Sequence, residues 1–71
     1  MKDVAKLFVK KLLLEKNINY VELATKMIAK GYKETPDTIR TKINRGSYSF
    51  AFLLEICDTL NLEIRIEDKE L

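Results

Sequence analysis

Thr35-Pro36-Asp37-Thr38-Ile39-Arg40-Thr41-Lys42-Ile43-Asn44-Arg45-Gly46 decides how the chain reads, because both ends of one short helix are written into it. Thr35 is a helix N-cap, Pro36 suits the first helical position where no amide donor is needed, and Asp37 places negative charge at the positive end of the helix dipole. Gly46 supplies the stop. Between these limits only Ile39 and Ile43 are apolar, four residues apart and so on one face. Thr38, Arg40, Thr41, Lys42, Asn44 and Arg45 are left free to face outward. A helix of roughly 15 Å with that surface can donate to phosphates and reach base edges in a major groove. The same pattern describes an ordinary solvated surface helix, so the flanking segments must decide between the two.

At 71 residues the chain has room for one domain with one small core, burying only about 60% of the surface of the unfolded chain. A large internal active site is not expected. Hydrophobic residues at 46% and charged residues at 34% describe a foldable domain and not a disordered tail. Two Gly and one Pro leave few turns, so the content should be helical. No run approaches the roughly 20 apolar residues of a membrane span, and the first residues interleave Lys2, Lys6, Lys10 and Lys11 with apolar ones in place of a signal-peptide core. The reading is a cytoplasmic protein without membrane contact. The single Cys57 allows no internal disulfide, and with no histidine no metal site is expected. Cys57 reads as a small buried apolar residue.

Net charge is only +2, but its distribution is uneven. Residues 1–50 hold eleven Lys and Arg against five Asp and Glu, a balance of +6, while residues 51–71 hold two against six, a balance of −4. A basic working surface with an acidic tail that stays off a polyanion fits this asymmetry.

Before the opening stretch, Asp3 to Lys16 carries Val4, Leu7, Phe8 and Leu12 at helical spacing, with Leu13 and Leu14 added and Asp3 as N-cap. This predicts a core-packing first helix ended at Lys16-Asn17. Asn19 caps the next helix, with Glu22 placed to return to the cap amide and Ile18 and Leu23 set for a hydrophobic staple. Leu23, Ala24, Met27 and Ile28 form its apolar stripe, and Gly31 closes it. After Gly46, Ser49 caps a fourth helix carrying Phe50, Leu53, Leu54, Ile56, Cys57 and Leu60, the most apolar segment of the chain. Leu62-Glu63-Ile64-Arg65-Ile66-Glu67 alternates strictly, which signals a strand. With no second strand in view, it predicts either a homodimer contact or a segment lying across the helices. The fold class is therefore all-α, four to five short helices with a short C-terminal β-strand over residues 62–67, in a single domain spanning residues 1–71.

Taken together, Asn17-Ile18-Asn19-Tyr20-Val21-Glu22-Leu23-Ala24, the polar helix ending Asn44-Arg45-Gly46, and the apolar helix ending Leu60-Asn61-Leu62 resemble the lambda-repressor-like helix-turn-helix family over most of residues 7–64. The resemblance implies that Ile39 and Ile43 anchor a recognition helix, with Thr38, Arg40, Thr41 and Lys42 near base edges. It also implies that Asn19, Tyr20, Asn44, Arg45 and Gly46 lie near phosphates. The chain departs from that family in the extra residues Ile28 to Tyr32 and in having Tyr20 where Gln is frequent. It is also similar to a group of small bacterial domains of unassigned function that share an Asn-Ile-x-Tyr-x-Glu-Leu-Ala start. The shared Lys-x-Asn-Arg-Gly-x-x-Ser-x-x-Phe run is here Lys42 to Phe52. That likeness points to a bacterial or phage origin.

The function expected is a small DNA-binding protein regulating transcription, with residues 36–45 as the major-groove helix. Thr38, Arg40, Thr41 and Asn44 would contact bases, and Asn19, Tyr20, Lys30, Lys33, Lys42, Arg45 and Gly46 would contact phosphates of double-stranded DNA. A homodimer would supply two half-sites. The alternative is a protein-protein interaction module on the same fold, in which Tyr32, Tyr48, Phe50 and Phe52 form an apolar patch for a protein partner. An enzyme is not expected, and no catalytic residue or cofactor is assigned. There is no histidine for acid/base work, no Gly-rich phosphate loop and no nucleophile motif, and Glu55 and Asp58 read as a solvated helix face.

Overall fold

The computed structural model describes residues 1–65. Among them the chain forms four helices and no strand: α1 (Lys2–Glu15), α2 (Tyr20–Ala29), α3 (Pro36–Arg45) and α4 (Phe50–Thr59). Local chemistry sets most of the boundaries. The Asn19 side chain accepts from the Glu22 amide at 2.8 Å, and Glu22 returns to the Asn19 amide, so two orphan donors at the start of α2 are met reciprocally. Thr35 does the same with Thr38 at the start of α3, where Pro36 follows the cap, and the Ser49 hydroxyl accepts from the Phe52 amide at the start of α4. At α1 the expected Asp3 cap is corrected. The helix begins at Lys2 after Met1, without a side-chain cap, and Asp3 instead places its charge in the first turn.

Three helices end alike. After α1, α2 and α4 a residue with positive φ, Asn17, Gly31 or Asn61, turns the chain, and the apolar residue that follows bonds back five positions. The pairs are Ile18 to the Leu13 carbonyl, Tyr32 to Met27 and Leu62 to Cys57, at 2.8 to 3.0 Å. Leu62 is thereby spent on closing α4. The strand expected over 62–67 is corrected accordingly. Residues 62–65 run without strand pairing, and the rest of that stretch lies outside the described residues.

α3 packs against both α1 and α2, and α4 packs against α2. Val9, Leu23, Met27, Ile39, Ile43 and Ile56 are completely buried, joined by Leu13, Ala24 and Phe52. Truncating Ile39 or Ile43 to alanine would cost roughly 2–5 kcal/mol at such sites. The apolar stripes of α2 and α3 are those read from the sequence, except that Ile28 is exposed. On α1 the reading is corrected: Val9 and Leu13 face the core, while Val4, Leu7 and Phe8 face solvent. α1 is apolar on nearly every side, so periodicity alone could not choose its inner face. On α4 the buried residues are Phe52, Ile56 and Cys57, with Phe50 and Leu54 exposed. Burial pushes the Cys57 thiol pKa upward, in keeping with an inert core cysteine.

Candidate nucleic-acid interface

α3 is positioned by three fixed points. Ile39 and Ile43 hold its inner face, the Thr35 cap holds its start, and Gly46 (φ 68°) holds its end. Gly46 is buried, and a Cβ there would overlap the Lys2 carbonyl, so the end of α3 abuts the start of α1. Tyr48 strengthens this corner by donating its hydroxyl to the Ala5 carbonyl at 2.7 Å. Desolvation there raises the Tyr48 pKa.

The outward arc of α3 consists of Arg40, Asn44, Asp37, Thr41, Arg45 and Thr38, all exposed. Asp37, Thr41 and Arg45 share a shallow depression along the helix with Thr38 and Lys42. Arg40 donates to Asp37 at 2.9 Å and lies over the Tyr20 ring, 5.8 Å from its centroid. Both members of that ion pair are well exposed, so it is worth about 0–1 kcal/mol and can be exchanged for a phosphate. Arg40, Thr41, Asn44 and Arg45 therefore stand together on one accessible face, with Tyr20 beneath Arg40.

Other residues singled out from the sequence are committed elsewhere. The Thr38 hydroxyl donates to Glu34 at 2.8 Å and accepts from the Thr35 amide at 2.9 Å. Lys42 donates to Glu34 at 2.7 Å and sits 4.7 Å from the centroid of the Phe52 ring. Glu34, only 7% exposed, is the one buried charged residue among the described residues. It ties the linker before α3 to the first and second turns of that helix. The Asn19 side chain is occupied by its capping box, and the Gly46 amide donates to the Ile43 carbonyl. Lys30 pairs with Asp58 of α4 at 3.8 Å. Asp58 also accepts from the Tyr32 hydroxyl at 2.6 Å, and this bond chiefly raises the Tyr32 pKa. Lys33 is exposed in the linker.

Sequence reading passed over a row of cations on α1, the helix that packs against α3. Lys2, Lys6 and Lys10 recur every four residues on α1. Lys2 lies at Gly46, and Lys10 lines a depression with Tyr20, whose ring Arg40 covers. α1 thus runs alongside α3 in the opposite sense, with the Lys2 backbone at the end of α3 and Lys10 near Tyr20. The four-residue spacing was visible, but its use depends on which helix α1 packs against. Among the described residues no group of His, Cys, Asp and Glu is arranged to hold a metal, and no helix is long and apolar enough to cross a membrane.

No curated protein and no solved structure matches the chain. A family model described as Domain of unknown function (DUF6471) matches residues 1–64, nearly the whole length, and the chain belongs to that family.

Proposed function

We propose that this chain is a small DNA-binding regulator that uses α2 and α3 as a helix-turn-helix and lays α3 in the major groove. The observation that carries the reading is the accessible arc of Arg40, Thr41, Asn44 and Arg45 on a helix fixed at both ends and packed against the lysine-rich α1. Arg40, Thr41 and Asn44 read base edges, Arg45 with Lys2, Lys6 and Lys10 meets phosphates, and Tyr20 supports Arg40. Thr38 and Lys42 serve instead to hold the helix in place through Glu34. α1 and α3 together carry seven Lys and Arg against Asp3, Glu15 and Asp37, whereas α4 carries Glu55 and Asp58 and no cation.

The alternative, an interaction module built on Tyr32, Tyr48, Phe50 and Phe52, has less support. Phe52 is buried, Tyr32 and Tyr48 are half-buried and hydrogen-bonded, and only Phe50 of the four is exposed.

Fluorescence anisotropy of labelled genomic DNA fragments, repeated over a salt series, tests the reading. Binding should weaken steeply with salt. Arg40→Ala should cost roughly 1–3 kcal/mol on a preferred sequence, whereas Arg45→Ala should weaken all sequences alike and lower the salt slope by about one. Folded protein that binds no DNA at low salt would overturn the proposal and return weight to a protein partner.

A further inference from the structure

The outward side of α3 is not uniform. At about 100° per residue, Thr41 stands about 160° from both Ile39 and Ile43, farther from the buried stripe than any other residue of the helix. Asp37 and Arg45 lie one turn before and one turn after it, and Asn44 stands beside it three residues on. Arg40 and Lys42, about 100° to either side of Thr41, form the shoulders of this crest. Each shoulder cation is drawn over an aromatic ring, Arg40 over Tyr20 and Lys42 over Phe52. The crest therefore holds no cation before Arg45 in the last turn. Thr41 also differs from the other helical threonines. Thr25 and Thr59 donate to the carbonyl four residues back and Thr38 donates to Glu34, whereas the Thr41 hydroxyl has no partner among the described residues. The shallow depression that Thr41 shares with Asp37, Thr38, Lys42 and Arg45 is lined mainly by carbon, although every one of these residues is polar.

In a major groove each base edge asks for a different side chain. Guanine presents two acceptors and takes Arg or Lys, adenine takes the amide of Asn, and thymine presents a methyl group that packs against carbon. The crest has the last two and not the first, and the Asp37 carboxylate one turn from Thr41 opposes the acceptors of guanine. We infer that the crest of α3 reads a T·A pair, with the thymine C5-methyl group seated against Thr41 in the carbon-lined depression and the Asn44 amide bonded to N6 and N7 of the adenine. Residues three apart on a helix are surface neighbours, so Thr41 and Asn44 can address the two halves of one base pair. Arg40, at the shoulder, is left to a neighbouring pair. This inference rests on the DNA-binding reading above and narrows it to a base pair and to the two side chains that choose it.

Anisotropy titrations on a preferred duplex, enriched by the chain from a random-sequence pool, test it. Its thymines are replaced one at a time by deoxyuridine, which removes only the methyl group. At one thymine the replacement should weaken binding roughly 3–5-fold, the transfer cost of one buried methyl. In Thr41→Ser, which keeps the hydroxyl and loses the methyl, the thymine and uracil duplexes should bind alike. Replacing the paired adenine with 7-deazaadenine, which lacks N7, should weaken binding of the parent and not weaken Asn44→Ala further. Both substitutions fall at exposed positions, so circular dichroism should match the parent. The base replacements are made in the DNA, so the parent alone decides if a variant fails to fold. No thymine sensitive to methyl loss, the same loss in Thr41→Ser, or binding without enrichment of any sequence would overturn the inference and leave DNA binding in place. Absence of binding at low salt would overturn the DNA-binding reading and this inference with it.

Discussion

Replacing Lys42 with alanine removes the cation facing the one buried carboxylate among the described residues. The Glu34 side chain is 8% exposed, that of Lys42 is 43% exposed, and they meet at 2.7 Å. At an effective dielectric of about 20 the gross attraction at that distance is about 6 kcal/mol. Much of this is offset by the desolvation of Glu34 and by the water that still reaches the ammonium. Thr38 continues to donate to the carboxylate in the variant, so Glu34 keeps one partner. The expected loss is therefore about 1–3 kcal/mol, above the 0–1 of exposed pairs and below the 3–5 of fully buried ones. For a domain of this size each kcal/mol lowers Tm by about 4–8 °C. Urea and thermal unfolding followed by circular dichroism would read it. Glu34→Gln combined with Lys42→Met should cost clearly less than the sum of the single changes, because the double variant leaves no buried charge unpaired. A Lys42→Ala variant within about 0.5 kcal/mol of the parent, the range of ordinary surface changes, would refute the reasoning. It would return Lys42 to the free cations available to phosphate.

The two glycines should respond unequally. Gly46→Ala meets the Lys2 backbone as well as left-handed strain and should cost roughly 2–5 kcal/mol, whereas Gly31→Ala, with open space around it, should cost about 1–2, both read by urea unfolding. Asp37→Asn frees Arg40 from its ion pair and removes a negative charge from the outward arc of α3, so the anisotropy assay should show DNA affinity rising about 2–5-fold at low salt, whatever the sequence. Tyr32 has its pKa raised in the fold by the Asp58 hydrogen bond, so its contribution to stability is complete below the unfolded tyrosine pKa of about 10 and is lost as pH rises through the higher folded value. Tyr32→Phe should flatten the decline in Tm on the alkaline side, and an unchanged profile would assign that decline to other groups.

The sequence by itself determined the features that arise within a few residues. The caps at Asn19, Thr35 and Ser49, the stop at Gly46, and the stripes Leu23-Ala24-Met27 and Ile39-Ile43 are local hydrogen-bonding and spacing effects, and each is found where the residues indicated. The outward placement of Arg40, Thr41, Asn44 and Arg45 follows from the two isoleucines for the same reason. Only the tertiary structure decided which side of α1 is buried, because Val4, Leu7, Phe8, Val9, Leu12, Leu13 and Leu14 offer apolar groups in almost every direction. The approach of Gly46 to Lys2 and the packing of α3 made the choice, which brought the lysine-bearing helix against α3 and left Val4, Leu7 and Phe8 exposed. The diversion of Lys42 likewise required Glu34 and Phe52, eight and ten residues away, to converge on it. Alternation in Leu62 to Glu67 indicated a strand, but strand hydrogen bonds need a partner chain. The Leu62 amide instead found its acceptor in the last turn of α4.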